Sequence, residues 1–201
     1  MQTEIEAKFV DINPETLRVK LKKLGATQEH PEILMCRKVF DYPDSRLEKI
    51  GGWIRVRDEG KNVMMSYKQL NDRTLHGTKE ITLRVGNFDD ACNLLVSIGL
   101  EQKAYQETRR EKWIYKNVEV AIDTWPWIPT FIELEGPSEN LVKEVAADLG
   151  LDWKNAMHGS VETVYQMHYN FTESEIDHWP SITFTPPPAW LLAKKKGSGD
   201  R

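Results

Sequence analysis

Thr3-Glu4-Ile5-Glu6-Ala7-Lys8-Phe9 alternates charged and apolar residues without a break. Successive side chains on an extended chain point to opposite faces. Glu4, Glu6 and Lys8 therefore share one face of a strand, and Ile5, Ala7 and Phe9 share the other. The apolar face belongs to a core. The charged face either meets water or lines a site, and the later strands decide between the two.

Six further stretches repeat the pattern. In Gly52–Arg57, Arg55 and Arg57 oppose Ile54 and Val56. Asp58-Glu59-Gly60-Lys61-Asn62 has turn chemistry and predicts a hairpin to residues 63–69, where Met64, Ser66 and Lys68 share a face. Glu80, Thr82 and Arg84 oppose Ile81, Leu83 and Val85. Thr108, Arg110 and Lys112 oppose Trp113 and Tyr115, and Glu119 and Asp123 oppose Val118, Val120 and Ile122. After Trp125-Pro126-Trp127-Ile128-Pro129 breaks the alternation, Phe131–Glu135 resumes it with Glu133 and Glu135 together. Residues 33–42 read as another strand whose register is ambiguous, so Arg37 and Lys38 receive no face.

Helices are expected after Asn13-Pro14, over Asp89–Gly99, from Ser138 to Gly150 and over residues 159–169, each with an apolar stripe. From residue 171 onward Pro186-Pro187-Pro188 and Lys194-Lys195-Lys196-Gly197-Ser198-Gly199 read as a flexible or loosely packed tail, separate from a domain over 1–170.

Composition bounds the partners. A formal charge of -4 over 201 residues argues against a general nucleic-acid binder. Cys36 and Cys92 are too few for a disulfide framework or a zinc site. No apolar run approaches the ~20 residues of a membrane span. The opening residues read straight into a strand, so a cytoplasmic protein is expected. Whether it pairs into a homodimer stays open.

A solvated sheet face would account for alternation alone. Two features weigh against it. Like charges come in i, i+2 pairs, and four helices need an apolar surface to cover, which leaves the charged face concave. About seven or eight antiparallel strands then close into an α+β barrel, with helices packed outside and a polar lumen. Dry burial of so many ions would cost several kcal/mol each, so the lumen holds water or a ligand of matching charge. Arginine forks and lysines match phosphate oxygens, whereas carboxylates match divalent cations that bridge to phosphate. A triphosphate with Mg²⁺ or Mn²⁺ fits that inventory.

Glu4-x-Glu6-x-Lys8 near the start of a chain resembles the signature of the CYTH superfamily, the triphosphate tunnel metalloenzymes. Further matches follow in the family's order: Trp53–Arg57, Tyr67-Lys68, Lys79-Glu80, Arg110-Glu111-Lys112, Ile122-Asp123 and Phe131–Glu135. They cover residues 1 to about 169. The Trp-Pro-Trp-Ile-Pro loop and the tail have no counterpart in the pattern. Members of the family include thiamine, inorganic and RNA triphosphatases and class IV adenylyl cyclases. The resemblance implies that Lys8, Arg55, Arg57, Lys68, Arg84, Arg110 and Lys112 grip the phosphates. It implies that Glu4, Glu6, Glu80, Asp123, Glu133 and Glu135 hold one or two metal ions, with Glu4, Glu6, Lys8 and Lys68 nearest the reaction. A metal-dependent triphosphatase is the expected activity; a cyclase making cyclic AMP and pyrophosphate, or a non-catalytic polyphosphate or nucleotide binder, are the alternatives. His158 and His168 are expected at the surface or near the tunnel mouth. Trp125 and Trp127 are expected to pack on the fold or to cap an entrance.

Overall fold

Alternating stretches form strands and striped stretches form helices throughout a computed structural model that describes residues 1–172, 175–176 and 179–197. The chain order is β1 (Gln2–Thr3), β2 (Glu6–Phe9), α1 (Pro14–Lys23), β3 (Thr27–Asp41), β4 (Gly52–Asp58), β5 (Val63–Leu70), β6 (Thr78–Val85), α2 (Phe88–Ser97), β7 (Glu101–Tyr115), β8 (Val118–Thr124), β9 (Phe131–Glu135), α3 (Glu139–Asp148), α4 (Glu162–His168), β10 (Ser181–Ile182) and a last helical turn, Ala189–Leu192. Side-chain caps start the first three helices. Asn13 Oδ1 accepts from the Thr16 amide at 3.0 Å, Asn87 from that of Asp90 at 2.9 Å and Ser138 from that of Leu141 at 3.3 Å. Lys116 and Asn117, at φ 49° and 61°, supply the two left-handed residues of the tight β7–β8 hairpin.

The sheet order is β1-β6-β5-β4-β3-β7-β8-β9-β2, with β10 off this path, parallel to β7. All other pairs are antiparallel. β1 and β2 are two pieces of one N-terminal stretch, and they bridge the two edges of the curled sheet. Gln2 pairs with Glu80 on β6, and Glu6 pairs with Glu135 on β9. Between them the Glu4 amide donates to the Thr78 carbonyl and the Gly136 amide to the Ile5 carbonyl. The curled antiparallel sheet with outer helices agrees with the expectation.

α1 and α3 bury Leu17, Leu21, Val142, Val145 and Leu149 against Ala7, Phe9, Val120, Ile132 and Leu134. α2 buries Ala91, Cys92 and Leu95 against Phe40 and Val56. Helices were expected to cover the whole apolar side, but Ile81 and Leu83 of β6 stay exposed. The outer face of that strand lies beyond the helices' reach.

The expected tail also differs from what forms. Ile176, Trp179, Ile182 and Leu191 are buried with Trp125, Ile128, Phe131, Val164, Tyr165 and Tyr169. Six aromatic rings of this region, Trp127, Tyr165, Tyr169, Phe171, Trp179 and Trp190, contact one another. Prolines and polar residues dilute this stretch, so it looks like a linker although its apolar residues have a core to join. Of the lysine run, Lys194 pairs with Glu175 and Lys196 Nζ donates to the Gln166 carbonyl at 2.6 Å. Residues 173–174, 177–178 and 198–201 of the expected tail lie outside the described residues.

Candidate functional site: a charged channel

Register decides which charges meet. Lys8 pairs with Glu133, Glu6 with Glu135, Arg110 with Asp123, and Lys68 with Glu80 across neighbouring strands. Each pair points to the concave side, as the alternation predicts.

On the wall made by β2, β7, β8 and β9 the ions neutralise one another. Lys8 is 3% exposed. Its Nζ meets Glu6 Oε1 at 2.8 Å, the Gly159 carbonyl at 2.8 Å and Glu133 Oε2 at 3.1 Å. Burial opposes its charge, but Glu133 and Glu6 outweigh burial and hold the ammonium above the ordinary lysine range. Arg110 grips Asp123 with a two-pronged fork, 2.7 Å from Nε and 2.6 Å from Nη2, and reaches Glu133 at 3.1 Å. Burial pushes the Asp123 carboxyl up, against the pull of that fork. Burial also opposes the charge of Glu133, yet Lys8 and Arg110 hold it below the usual carboxylate range. Glu135 is pushed up to about 7 by burial, Glu119 and Glu133, against the weaker pull of Lys68. Lys112, nearer solvent, pairs with Glu119 at 2.6 Å and Glu29 at 3.2 Å.

A second group forms where the N-terminal stretch meets β5 and β6. Lys68 Nζ lies 2.9 Å from both Glu4 oxygens and 3.6 Å from Glu80, which Arg55 also meets at 3.3 Å. Burial and a hydrogen bond with Glu80 push Glu4 up to about 8. Glu80 is held low despite burial, by that same bond and by Lys68 and Arg55.

The third wall is basic. Arg37 stands directly opposite Arg57, so it faces the channel. Its Nη2 donates to Thr108 Oγ1 at 2.7 Å, and its guanidinium lies 4.7 Å from the Trp125 ring centre. Arg57 Nε donates to Glu59 at 2.7 Å. Among the described residues, the buried Nε of Arg37 and that of Arg55 have no hydrogen-bond partner. Burial and then Arg57 push Arg55 down to about 10. Arg84 is exposed at the rim, where it lines a cavity of about 480 Å³ with Lys61, Asn62, Asn87 and Asp89.

Cross-strand register and ion pairs bring Glu4, Glu6, Lys8, Arg55, Lys68, Glu80, Arg110, Asp123 and Glu133 together on the concave side; Lys112 lies nearer solvent, and Arg84 is exposed beside a cavity that the other expected residues do not line. Arg37 is the addition. Its register is unbroken from Ile33 to Val39, but Ile33, Met35 and Val39 share its face and Leu34, Cys36 and Phe40 the other, so alternation marks neither face as polar. His158 lies beside β2, its Nδ1 3.2 Å from the Glu6 carbonyl oxygen, and His168 ends α4. Trp125 and Trp127 pack inward, and Trp127 Nε1 donates to the Thr185 carbonyl at 2.7 Å. Glu111, between Arg110 and Lys112, points outward and accepts from Arg18, Gln28 and Trp113, which pins α1 to the sheet.

The six carboxylates do not form one cluster. Among the described residues no three acid, histidine or cysteine side chains converge at metal-ligand spacing. Lys8, Lys68 and Arg110 stand between them. The donor chemistry nevertheless fits a hard divalent cation: all donors are carboxylate oxygens, and Glu4 and Glu80 lie 2.9 and 3.6 Å from the same Lys68 Nζ.

Comparison with known proteins follows the same lines. Among curated proteins none matches the chain in sequence. Solved structures match its fold. The PH1012 protein of Pyrococcus horikoshii OT3 superposes with a TM-score of 0.65 at 21% identity, over 80% of this chain and 98% of its own. A candidate adenylate cyclase of Vibrio parahaemolyticus gives 0.71 at 14% identity, over 82% and 98%. A candidate adenylyl cyclase from Hippeastrum, in which triphosphatase activity dominates, gives 0.53 at 13% identity, over 83% and 96%. No helix among the described residues is long and apolar enough to cross a membrane. The CYTH domain matches residues 2–164, most of the chain and all of the strands that line the channel, and the protein therefore belongs to the CYTH domain family.

Proposed function

We propose that this protein is a divalent-metal-dependent phosphohydrolase, using Mg²⁺ or Mn²⁺, that acts on a triphosphate bound in the channel. One observation carries the reading: the buried Nε–H of Arg55 has no hydrogen-bond partner among the described residues, beside a group in which Lys68 meets both Glu4 and Glu80. Buried donors of this kind normally have partners. A phosphate oxygen would satisfy the guanidinium, and the Glu4 and Glu80 carboxylates would offer oxygens to a hard cation.

In this reading Arg55, Arg57, Arg110, Lys8, Lys68 and Lys112 hold the non-bridging phosphate oxygens, with Arg84 at the rim. Glu4, Glu6, Glu80, Asp123, Glu133 and Glu135 are the oxygen donors for metal. A bound divalent cation neutralises phosphate charge and acidifies an attacking water. The chain's own part is positioning and electrostatics. Lys8 and Lys68 meet the negative charge that builds on the transferred phosphoryl group, while the arginine forks fix its orientation. The activity of the Hippeastrum relative favours hydrolysis over cyclisation.

A panel of tripolyphosphate, thiamine triphosphate and ATP with Mg²⁺ or Mn²⁺, scored for both phosphate and pyrophosphate, tests this. Orthophosphate release is the expected result. Cyclic AMP with pyrophosphate from ATP would make the protein a cyclase, and binding without turnover would make it a binding module. Glu4→Ala is expected to lower metal-dependent turnover by ~100-fold or more while the circular dichroism spectrum stays native. Full turnover by that variant would refute the metal assignment.

A further inference from the structure

Arg37 is a buried cation without an acid of its own. It is 7% exposed. Its hydrogen-bond partner is the neutral hydroxyl of Thr108. The charges around it are mainly of its own sign: burial, then Arg55, Arg57 and Arg110, hold its pKa well below the ordinary arginine range. Asp123 is the acid that helps it, and Asp123 is already held in the fork of Arg110. A buried charge in this setting costs stability unless something of opposite sign meets it.

Its orientation, however, is fixed. Thr108 holds one end of the guanidinium and the Trp125 ring lies against it at 4.7 Å. Trp125 is held in turn by the C-terminal region. Tyr165 meets it edge-on with ring centres 6.4 Å apart, and the Tyr165 hydroxyl donates to the Pro126 carbonyl at 2.8 Å. Tyr165 packs on Trp179 at 5.6 Å. This support lies past residue 164, where the family match ends.

We propose that Arg37 is a further phosphate-binding residue of the channel, whose free Nε–H donates to a non-bridging oxygen of a polyphosphate, and that Trp125 and Thr108 position it. The proposal rests on the reading of the channel as a polyphosphate site. It has a consequence that a purely structural arginine would not share. Removing Arg37 relieves repulsion among four arginines and eliminates a buried donor without a partner, so stability should hold or rise while polyphosphate affinity falls.

The test is calorimetric binding of inorganic tripolyphosphate with Mg²⁺, alongside thermal melting. Arg37→Gln is expected to weaken binding by ~10- to 100-fold, the range for hydrogen bonds to charged groups, with Tm equal to or above that of the wild type. Arg37→Lys keeps the charge without the fork and should fall between the two. Trp125→Phe should weaken binding severalfold, and that loss should vanish in the Arg37→Gln background because the two changes act through one group. Arg37→Gln binding within twofold of wild type overturns the proposal, as does a Tm drop with affinity kept. If the wild type itself fails to bind tripolyphosphate, the polyphosphate reading falls and takes this inference with it. If the wild type binds and the variant binds equally well, the inference alone falls.

Discussion

Along β2, β7, β8 and β9 each fully buried cation meets carboxylates: Lys8 has Glu6 and Glu133, and Arg110 has Asp123, Glu133 and Glu119. Along β3 and β4, Arg37 and Arg55 each keep an Nε–H that meets nothing among the described residues. The same residue types thus face one channel in two electrostatic states. On the first wall, attraction outweighs burial and raises the cations above their ordinary range. On the second, burial and like charge lower them. The first wall is a largely self-neutralised scaffold: its ion pairs stabilise the sheet and would have to be shared with phosphate if Lys8 and Arg110 bind it as proposed. The second keeps hydrogen-bonding capacity and positive charge unpaired, at a cost to stability, which suits the proposed anionic ligand.

Substitutions can break this contrast, and the largest effect belongs to the scaffold wall. Lys8→Met leaves Glu6 and Glu133 buried without their ammonium and should cost ~3–5 kcal/mol, the range for breaking a buried pair. In a chain of this size that corresponds to a Tm loss of roughly 6–20 °C, measured by thermal melting. A loss under ~2 °C would show that the scaffold wall is not the stabilising one. Arg55→Gln should have the opposite profile. Its Tm stays close to that of the wild type, while tripolyphosphate affinity, measured by calorimetry, falls by ~10-fold or more. A variant that melts early and binds normally would place Arg55 with the scaffold instead. Arg84→Gln sharpens the comparison at its weak end. Exposed at the rim, Arg84 should change affinity by less than ~5-fold, and the difference should fade as salt is raised from 0.05 to about 0.5 M. An effect that persists in high salt would place Arg84 in a desolvated part of the site.

How much of this was legible in the chain depends on how local the information was. Glu4, Glu6 and Lys8 could be assigned to one face because a strand's period is two and the stretch is unbroken. The same reasoning placed Arg55 with Arg57, Arg110 with Lys112, and Glu133 with Glu135. Arg37 could not be assigned, because Ile33, Met35 and Val39 on one face and Leu34, Cys36 and Phe40 on the other leave neither face of its strand looking polar. The acids, expected to hold one or two metal ions, are not gathered in any group of three among the described residues. Sequence gives the number of carboxylates on a face, but not which cations stand between them. The C-terminal region was misread for a related reason: its prolines signal a linker locally, whereas Ile182 and Leu191 are buried by residues far away in the chain.

Alternation, caps and turn residues by themselves determined the elements, their faces and the charge inventory of the channel, since each rests on neighbours a few residues apart. Tertiary structure alone decided which charge meets which. It set the strand order that places Lys8 beside Glu133, the curl that brings Glu4 to Lys68, and the packing of Trp125 that holds Arg37 among three other arginines. The physical reason is that electrostatics in a buried channel depends on distances of a few ångströms between strands remote in sequence, and only the closed register fixes those distances.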